Sequence, residues 1–205
     1  MNPVAPHEKR REKASVSAPA MMLRLKALIL SLLDEHRVMT LATNRPDGWP
    51  QATIVGYVND GYLLYCFVAR NTQKYANILR DPRISLTIGS DATDPAEIRG
   101  LSLAGRAAEV TDRGEFEDVA KLRLKKYPEY ATASARIHDG DNALRVQSQP
   151  PSSRVALLRI APDIISVLDY SQGFGHSELV TFSERGLDVH IDSLRHPWNG
   201  IHTAE

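Results

Sequence analysis

The sequence predicts a mainly antiparallel β-barrel with two or three peripheral helices. Short runs of β-forming residues outnumber helical patterns along the chain. The first three runs are joined by turns too short for the crossover that a parallel sheet needs. Between the second and third of them stands Asn59-Asp60-Gly61, a strong tight-turn signal.

The elements follow in order. Leu23, Leu25, Leu28, Ile29, Leu32 and Leu33 recur at near-helical spacing, so residues 20–35 read as an amphipathic helix. Residues 37–43 (RVMTLAT) form a short β-type run, followed by the polar turn NRPDG. Residues 50–58 (PQATIVGYV) and 62–69 (YLLYCFVA) then read as the two arms of a hairpin. Residues 71–80 form a short helix capped by Asn71 or Thr72 and stopped by Asp81-Pro82. A strand follows at 83–89. The glycine-punctuated stretch 98–111 suggests a bent strand or a strand pair. Asp112 caps a helix over 113–127 that Pro128 ends. Residues 129–153, with QSQPPSS, read as loop. The last β-type runs are at 154–160, 164–170, 178–182 and 187–191.

With 205 residues the chain fits one domain with a tail. Residues 1–19 read as a flexible tail and 20–205 as the domain. Lys and Arg together number 25, equal to Asp and Glu, and the zero net charge argues against a general nucleic-acid binder. The apolar segment 21–33 is broken by Arg24 and Lys26 and is shorter than the roughly 20 residues a membrane span needs. The first residues lack the apolar core of a secretory signal, and Glu8 and Glu12 disfavour a transit peptide. Cys66 is the single cysteine, so no intramolecular disulfide forms, which suits a reducing compartment. The expectation is a soluble cytoplasmic protein that binds neither membrane nor nucleic acid.

The order of motifs from residue 35 to 111 carries more. Strand, turn, strand, tight turn and strand lead to a short helix that opens on Thr72-Gln73-Lys74 and ends in Asp81-Pro82-Arg83. This arrangement resembles the pyridoxamine 5'-phosphate oxidase-like family of FMN-binding split β-barrels, with a weaker echo at 154–183. The resemblance implies that Thr72, Gln73 and Lys74 bind the FMN phosphate. The chemistry fits, since a helix N-terminus, a hydroxyl and a cation all favour an anion. It also implies that Gln51, Ala52 and Thr53, with Tyr65, Cys66 and Phe67, line the flavin ring. A homodimer with the flavin between subunits is expected, acting as an FMN-dependent oxidoreductase on a small-molecule substrate.

The substrate side departs from the oxidase pattern. That pattern has an arginine where Gln51 stands, a lysine near Gly56, a glutamine near Gly100 and an Arg-x-His element near the C-terminus. Residues 172–176 (QGFGH) keep His176 but no arginine. A substrate other than pyridoxamine phosphate is therefore expected, with His176 the candidate donor to developing charge. Two alternatives stay open: a non-catalytic flavin- or haem-binding protein, and a deazaflavin-dependent reductase on the same fold.

Other constellations say less. Asp169, Ser171 and His176 are too close in sequence for a hydrolase triad, and no G-x-S-x-G elbow is present. Gly173-Phe174-Gly175 lacks the third glycine and the helix of a dinucleotide site. His190, His196 and His202 lack zinc-ligand spacing, so no metal is expected. Trp198 packs on its own core, the partner subunit or the flavin. Lys121, Arg123, Lys125 and Lys126 read as a solvated helix face.

Overall fold

The computed structural model describes residues 18–89, 92–129 and 154–182. The expected tail up to residue 17, the loop at 130–153, the strand at 187–191, His190, His196, Trp198 and His202 lie outside these residues.

The chain runs α1 (Ala18–Glu35), β1 (Val38–Asn44), β2 (Pro50–Gly56), β3 (Val58–Asp60), β4 (Leu63–Ala69), α2 (Gln73–Arg80) and β5 (Arg83–Gly89). It continues with β6 (Arg99–Glu109), α3 (Arg113–Lys126), β7 (Val155–Asp169) and β8 (Ser177–Thr181). The eight strands form one sheet in the order β2-β1-β5-β6-β7-β4-β3, with β8 also on β7. Every pairing is antiparallel. β2 and β3 are consecutive in the chain yet stand at opposite ends of this order. The sheet must therefore curl until its two edges meet, which makes it a barrel. The expected mainly β fold with peripheral helices is what forms, a split β-barrel.

The hairpin expectation needs correction. Residues 50–56 pair along their whole length with β1, not with β4. Only Val58–Asp60 pairs with β4, through Leu63 to Tyr65. The switch falls at Tyr57. Its N–H donates to Arg37 O at 3.2 Å and its buried hydroxyl to Leu33 O at 2.9 Å. Those bonds turn the strand away from its hairpin partner. Residues 66–69 of β4 consequently pair only with β7, leaving an opening between β2 and the end of β4.

β7 corrects a second expectation: the runs at 154–160 and 164–170 are one 15-residue strand that passes through Pro162. Proline is tolerated there because β7 changes neighbours at that point. Pairing with β4 ends at Ile160 and pairing with β8 starts at Ile164, so no donor is needed on that side. Across the ladder, the β6 register slips between Ala104 and Gly105. A Cβ at Gly105 would lie 2.3 Å from Ala161 O, so only glycine fits.

Two apolar clusters hold the fold. Leu25, Ile29 and Leu33 of α1 plug the barrel interior against Leu41, Leu64 and Ile160. A second cluster of Tyr65, Phe116, Val119 and Leu157 lies under α3, outside the barrel. Burying side chains of this size contributes about 1.5–3 kcal/mol each before chain entropy is offset.

Candidate functional site

Beside the opening between β2 and β4, α2 packs on β1 and β2, and only some of the expected cofactor residues meet there. Strand alternation sorts them first. Gln51 and Thr53 share a face of β2 with the buried Val55, whereas Ala52 and Ile54 turn outward and are exposed. On β4, Cys66 faces the barrel interior, while Tyr65 and Phe67 face α3. The three consecutive positions 65–67 thus address two different spaces.

α2 is tied to β2 by a residue that the sequence did not single out. Asn77 is completely buried. Its Nδ2 donates to Thr43 Oγ1 at 3.0 Å and to Gln51 Oε1 at 3.1 Å, and its Oδ1 accepts from Gln73 Nε2 at 2.9 Å. Gln51 and Gln73, both expected at the site, are joined through it. A signal was present: Asn77 lies between Tyr75 and Ile78, the apolar side of a short amphipathic helix. A polar residue there must find partners.

The N-terminus of α2 is open. Thr72 is the N-cap residue, but its side chain makes no capping bond. Its hydroxyl instead donates back to Ala69 O at 2.7 Å. Ala76 N–H bonds Thr72 O, while the N–H groups of Gln73, Lys74 and Tyr75 find no acceptor among the described residues. Lys74 stands half-buried in this first turn, close enough to Cys66 to act on it electrostatically. Among the described residues its ammonium has no hydrogen-bond or ion-pair partner. Three unsatisfied N–H groups and a cation on one helix turn fit a phosphate. Beside them Thr53 Oγ1 is buried without a hydrogen-bond partner. A ligand polar group entering the opening would satisfy it.

The surroundings are rigid and electrostatically quiet. Arg70, Tyr75 and Glu109 lock the end of β4, α2 and the end of β6 together, with Tyr75 Oη donating to Glu109 Oε2 at 2.7 Å. Arg70 and Tyr75 hold the Glu109 carboxyl below its ordinary value against the opposing effect of burial. Burial pushes the Cys66 thiol up to about 12, so it is an inert wall and no redox group.

On the α3 side, Gly56, Tyr57, Val58, Tyr65, Phe67, Arg123 and Tyr127 enclose a cavity of about 160 Å³. Arg123 is buried, with its guanidinium 5.4 Å from the centre of the Phe67 ring. This corrects the solvated-face expectation for the basic run of α3. Lys121 and Lys125 are exposed, but Arg123 and Lys126 turn inward. Lys126 Nζ donates to Leu33 O at 2.6 Å and Asn59 Oδ1 at 3.0 Å, 4.0 Å above the Tyr57 ring.

His176 lies elsewhere. Its Nε2 is 2.8 Å from Glu178 Oε1, which also accepts from Arg24 of α1 at 2.9 Å. Ser171 Oγ donates to Asp169 at 2.6 Å. Serine and histidine thus serve two different carboxylates, and no triad forms. Among the described residues no three His, Cys, Asp or Glu gather as a metal site. No described helix is long and apolar enough to cross a membrane.

Comparison with known proteins agrees with this fold. General stress protein 26 of Bacillus subtilis (strain 168) is 27% identical over 93 residues, covering 43% of this chain and 66% of that protein, just under two thirds of its length. The crystal structure of a conserved hypothetical protein from Mycobacterium tuberculosis superposes with a TM-score of 0.58 at 24% identity, covering 82% of this chain and 95% of the other. A heme binding protein from Mycobacterium smegmatis gives 0.57 at 22% identity, over 76% of this chain and 57% of the other. At these identities the structural likenesses show the fold alone. The family model described as pyridoxamine 5'-phosphate oxidase matches residues 25–167, well over half of the sequence. The chain belongs to the pyridoxamine 5'-phosphate oxidase family.

Proposed function

We propose that this protein is a flavin-dependent oxidoreductase that binds FMN at the opening between β2 and β4. The observation that carries the proposal is the uncapped first turn of α2. There the N–H groups of Gln73, Lys74 and Tyr75 and the Lys74 ammonium meet no protein acceptor among the described residues. The phosphate binds this turn, with the Thr72 hydroxyl at its edge. Gln51 and Gln73 are held in place by Asn77, and Thr53 supplies a hydroxyl to the ring's polar edge. Bound flavin supplies hydride or electron transfer, and the protein supplies position and charge. The cavity beside Phe67 and Arg123 admits a small substrate to the far side of the opening. A homodimer completes the site, and the protein works in the cytoplasm.

The test is the visible spectrum of purified protein, with the released cofactor identified by mass. Yellow protein carrying FMN, with the colour lost in Lys74→Ala, supports the proposal. Colourless protein that takes up no added FMN overturns it. A deazaflavin would use the same phosphate turn and is told apart by mass.

Haem binding without turnover is the second reading, favoured by the fold shared with the heme binding protein from Mycobacterium smegmatis. Among the described residues the histidines are His36 and His176, and His176 Nε2 is engaged by Glu178. A Soret band on haem addition, abolished in His36→Ala, would favour it.

A further inference from the structure

At the opposite end of α2 from the phosphate turn, a second groove of about 750 Å³ crosses the outside of the sheet. Arg45, Arg80, Arg83 and Arg106 line it with two carboxylates, Asp81 and Asp163, and Arg45 is itself ion-paired with Asp47. We propose that this groove binds a polyphosphate, free or as the tail of a nucleotide.

Three observations carry the proposal. First, Arg83 and Arg106 are directly opposed partners in the β5–β6 ladder. Like charges so placed are unfavourable, and of the two only Arg83 has a close carboxylate, Asp81. Second, Asp81 pairs with Arg83 and fixes its guanidinium, which leaves Arg80 and the loosely paired Arg106 as the less compensated charges of the groove. Asp81 Oδ1 accepts from Arg83 N at 3.1 Å and Nε at 2.9 Å, and its Oδ2 from Arg83 Nη2 at 2.8 Å and Asn44 Nδ2 at 3.0 Å. Two of these four bonds fix the Arg83 guanidinium, whose side chain is 69% exposed. The four bonds hold the Asp81 carboxyl well below its ordinary value, so the pairing persists in acid. Third, Arg80 is anchored by Nη2 on Asn44 O at 2.7 Å and forms no ion pair among the described residues. Arg106 reaches Asp163 only loosely, at 3.6 Å, with both side chains largely exposed.

The result is a row of guanidinium forks, two of them held in position before any ligand arrives. Forks of this kind pair bidentately with phosphate oxygens. A cluster of several cations matches a chain of phosphates better than one carboxylate. The groove's volume suits a ligand of nucleotide size.

Titration of sodium tripolyphosphate into the full-length protein, saturated beforehand with FMN and followed by calorimetry at low ionic strength, tests this. Saturable one-to-one binding is expected, weakened about tenfold in Arg106→Gln and about as much in Arg80→Gln. Arg83→Gln also frees Asp81 and can perturb folding, so the first two variants decide. Without ligand, Arg106→Gln should melt no lower than wild type, because it relieves the opposed pair. With tripolyphosphate, wild type should gain more in Tm than the variant. Adenosine triphosphate should compete with tripolyphosphate: equal affinity assigns recognition to the phosphates alone, and tighter binding adds a nucleoside contact. No saturable heat, or Arg106→Gln binding like wild type, overturns the proposal. It stands apart from the flavin assignment, because Lys74→Ala should leave tripolyphosphate binding unchanged. Loss of that binding in Lys74→Ala would place the anion at the other end of α2 and overturn the groove.

Discussion

Asn77 Nδ2 lies 3.1 Å from Gln51 Oε1, and this contact joins α2, with its uncapped first turn, to the strand that borders the opening. With Thr43 and Gln73 on its other bonds, Asn77 converts two separate elements into one frame. A buried amide with its partners in place stabilises and orients. The same amide removed leaves those partners unsatisfied.

Asn77→Ala is therefore expected to cost about 3 kcal/mol of stability, from orphaned buried groups and the cavity left behind. Urea melts of variant and wild type measure it. Flavin affinity should fall as well, whereas Gln73→Ala, at the exposed end of the network, should cost under about 1 kcal/mol. Equal losses in both variants would contradict the buried-hub assignment.

Gly105→Ala places a methyl group 2.3 Å from Ala161 O, which is backbone and cannot swing aside. The expected loss is about 3 kcal/mol or more, read as a depressed Tm or insoluble protein. Gly114→Ala, whose nearest neighbour is a side-chain oxygen at 3.2 Å, is the milder control.

Cys66 should resist thiol reagents in the folded protein. It is 1% exposed and its thiol is pushed up to about 12 by burial, with Lys74 pulling weakly the other way. At pH 8 a disulfide reagent should label it only after urea is added. Rapid labelling of native protein would mean that the barrel interior opens.

Lys126 predicts an alkaline trend. Burial lowers its ammonium to about 8 from an ordinary value of 10.5. Between those values the folded protein has released a proton that the unfolded chain still holds. The unfolded state binds more protons there, so this group's contribution to stability rises with pH across that window. Compared with Lys126→Met, wild type should gain urea resistance between pH 8 and pH 10. A constant difference between the two proteins would show that the lysine titrates normally.

Much of the architecture is legible in the sequence because it depends on local chemistry. Leucine spacing sets α1, Asp112 caps α3 through a bond to Glu115 N–H, and alternation sets β5. The placement of Thr72, Gln73 and Lys74 at the start of α2 is legible for the same reason: they are consecutive, and one helix start gathers them. Residues 50–58 were assigned to the wrong neighbour because β-propensity does not say which strand pairs with which. Tyr57 decides that, through bonds to Arg37 and Leu33 of distant elements. Pro162 looked like a strand end because its tolerance depends on β7 exchanging one neighbour for another.

The barrel class, the stops of α2 and α3 and the cluster of cation and hydroxyl at the start of α2 are local in origin. These arise from periodicity, capping and turn chemistry, which act over a few residues. Long-range packing makes Asn77 join Gln51 to Gln73, turns Tyr65 and Cys66 toward different spaces and sets Arg83 opposite Arg106. Each of those facts depends on how strands register and on which face a sheet buries. Register is a property of two segments at once, set by the packing of the whole core.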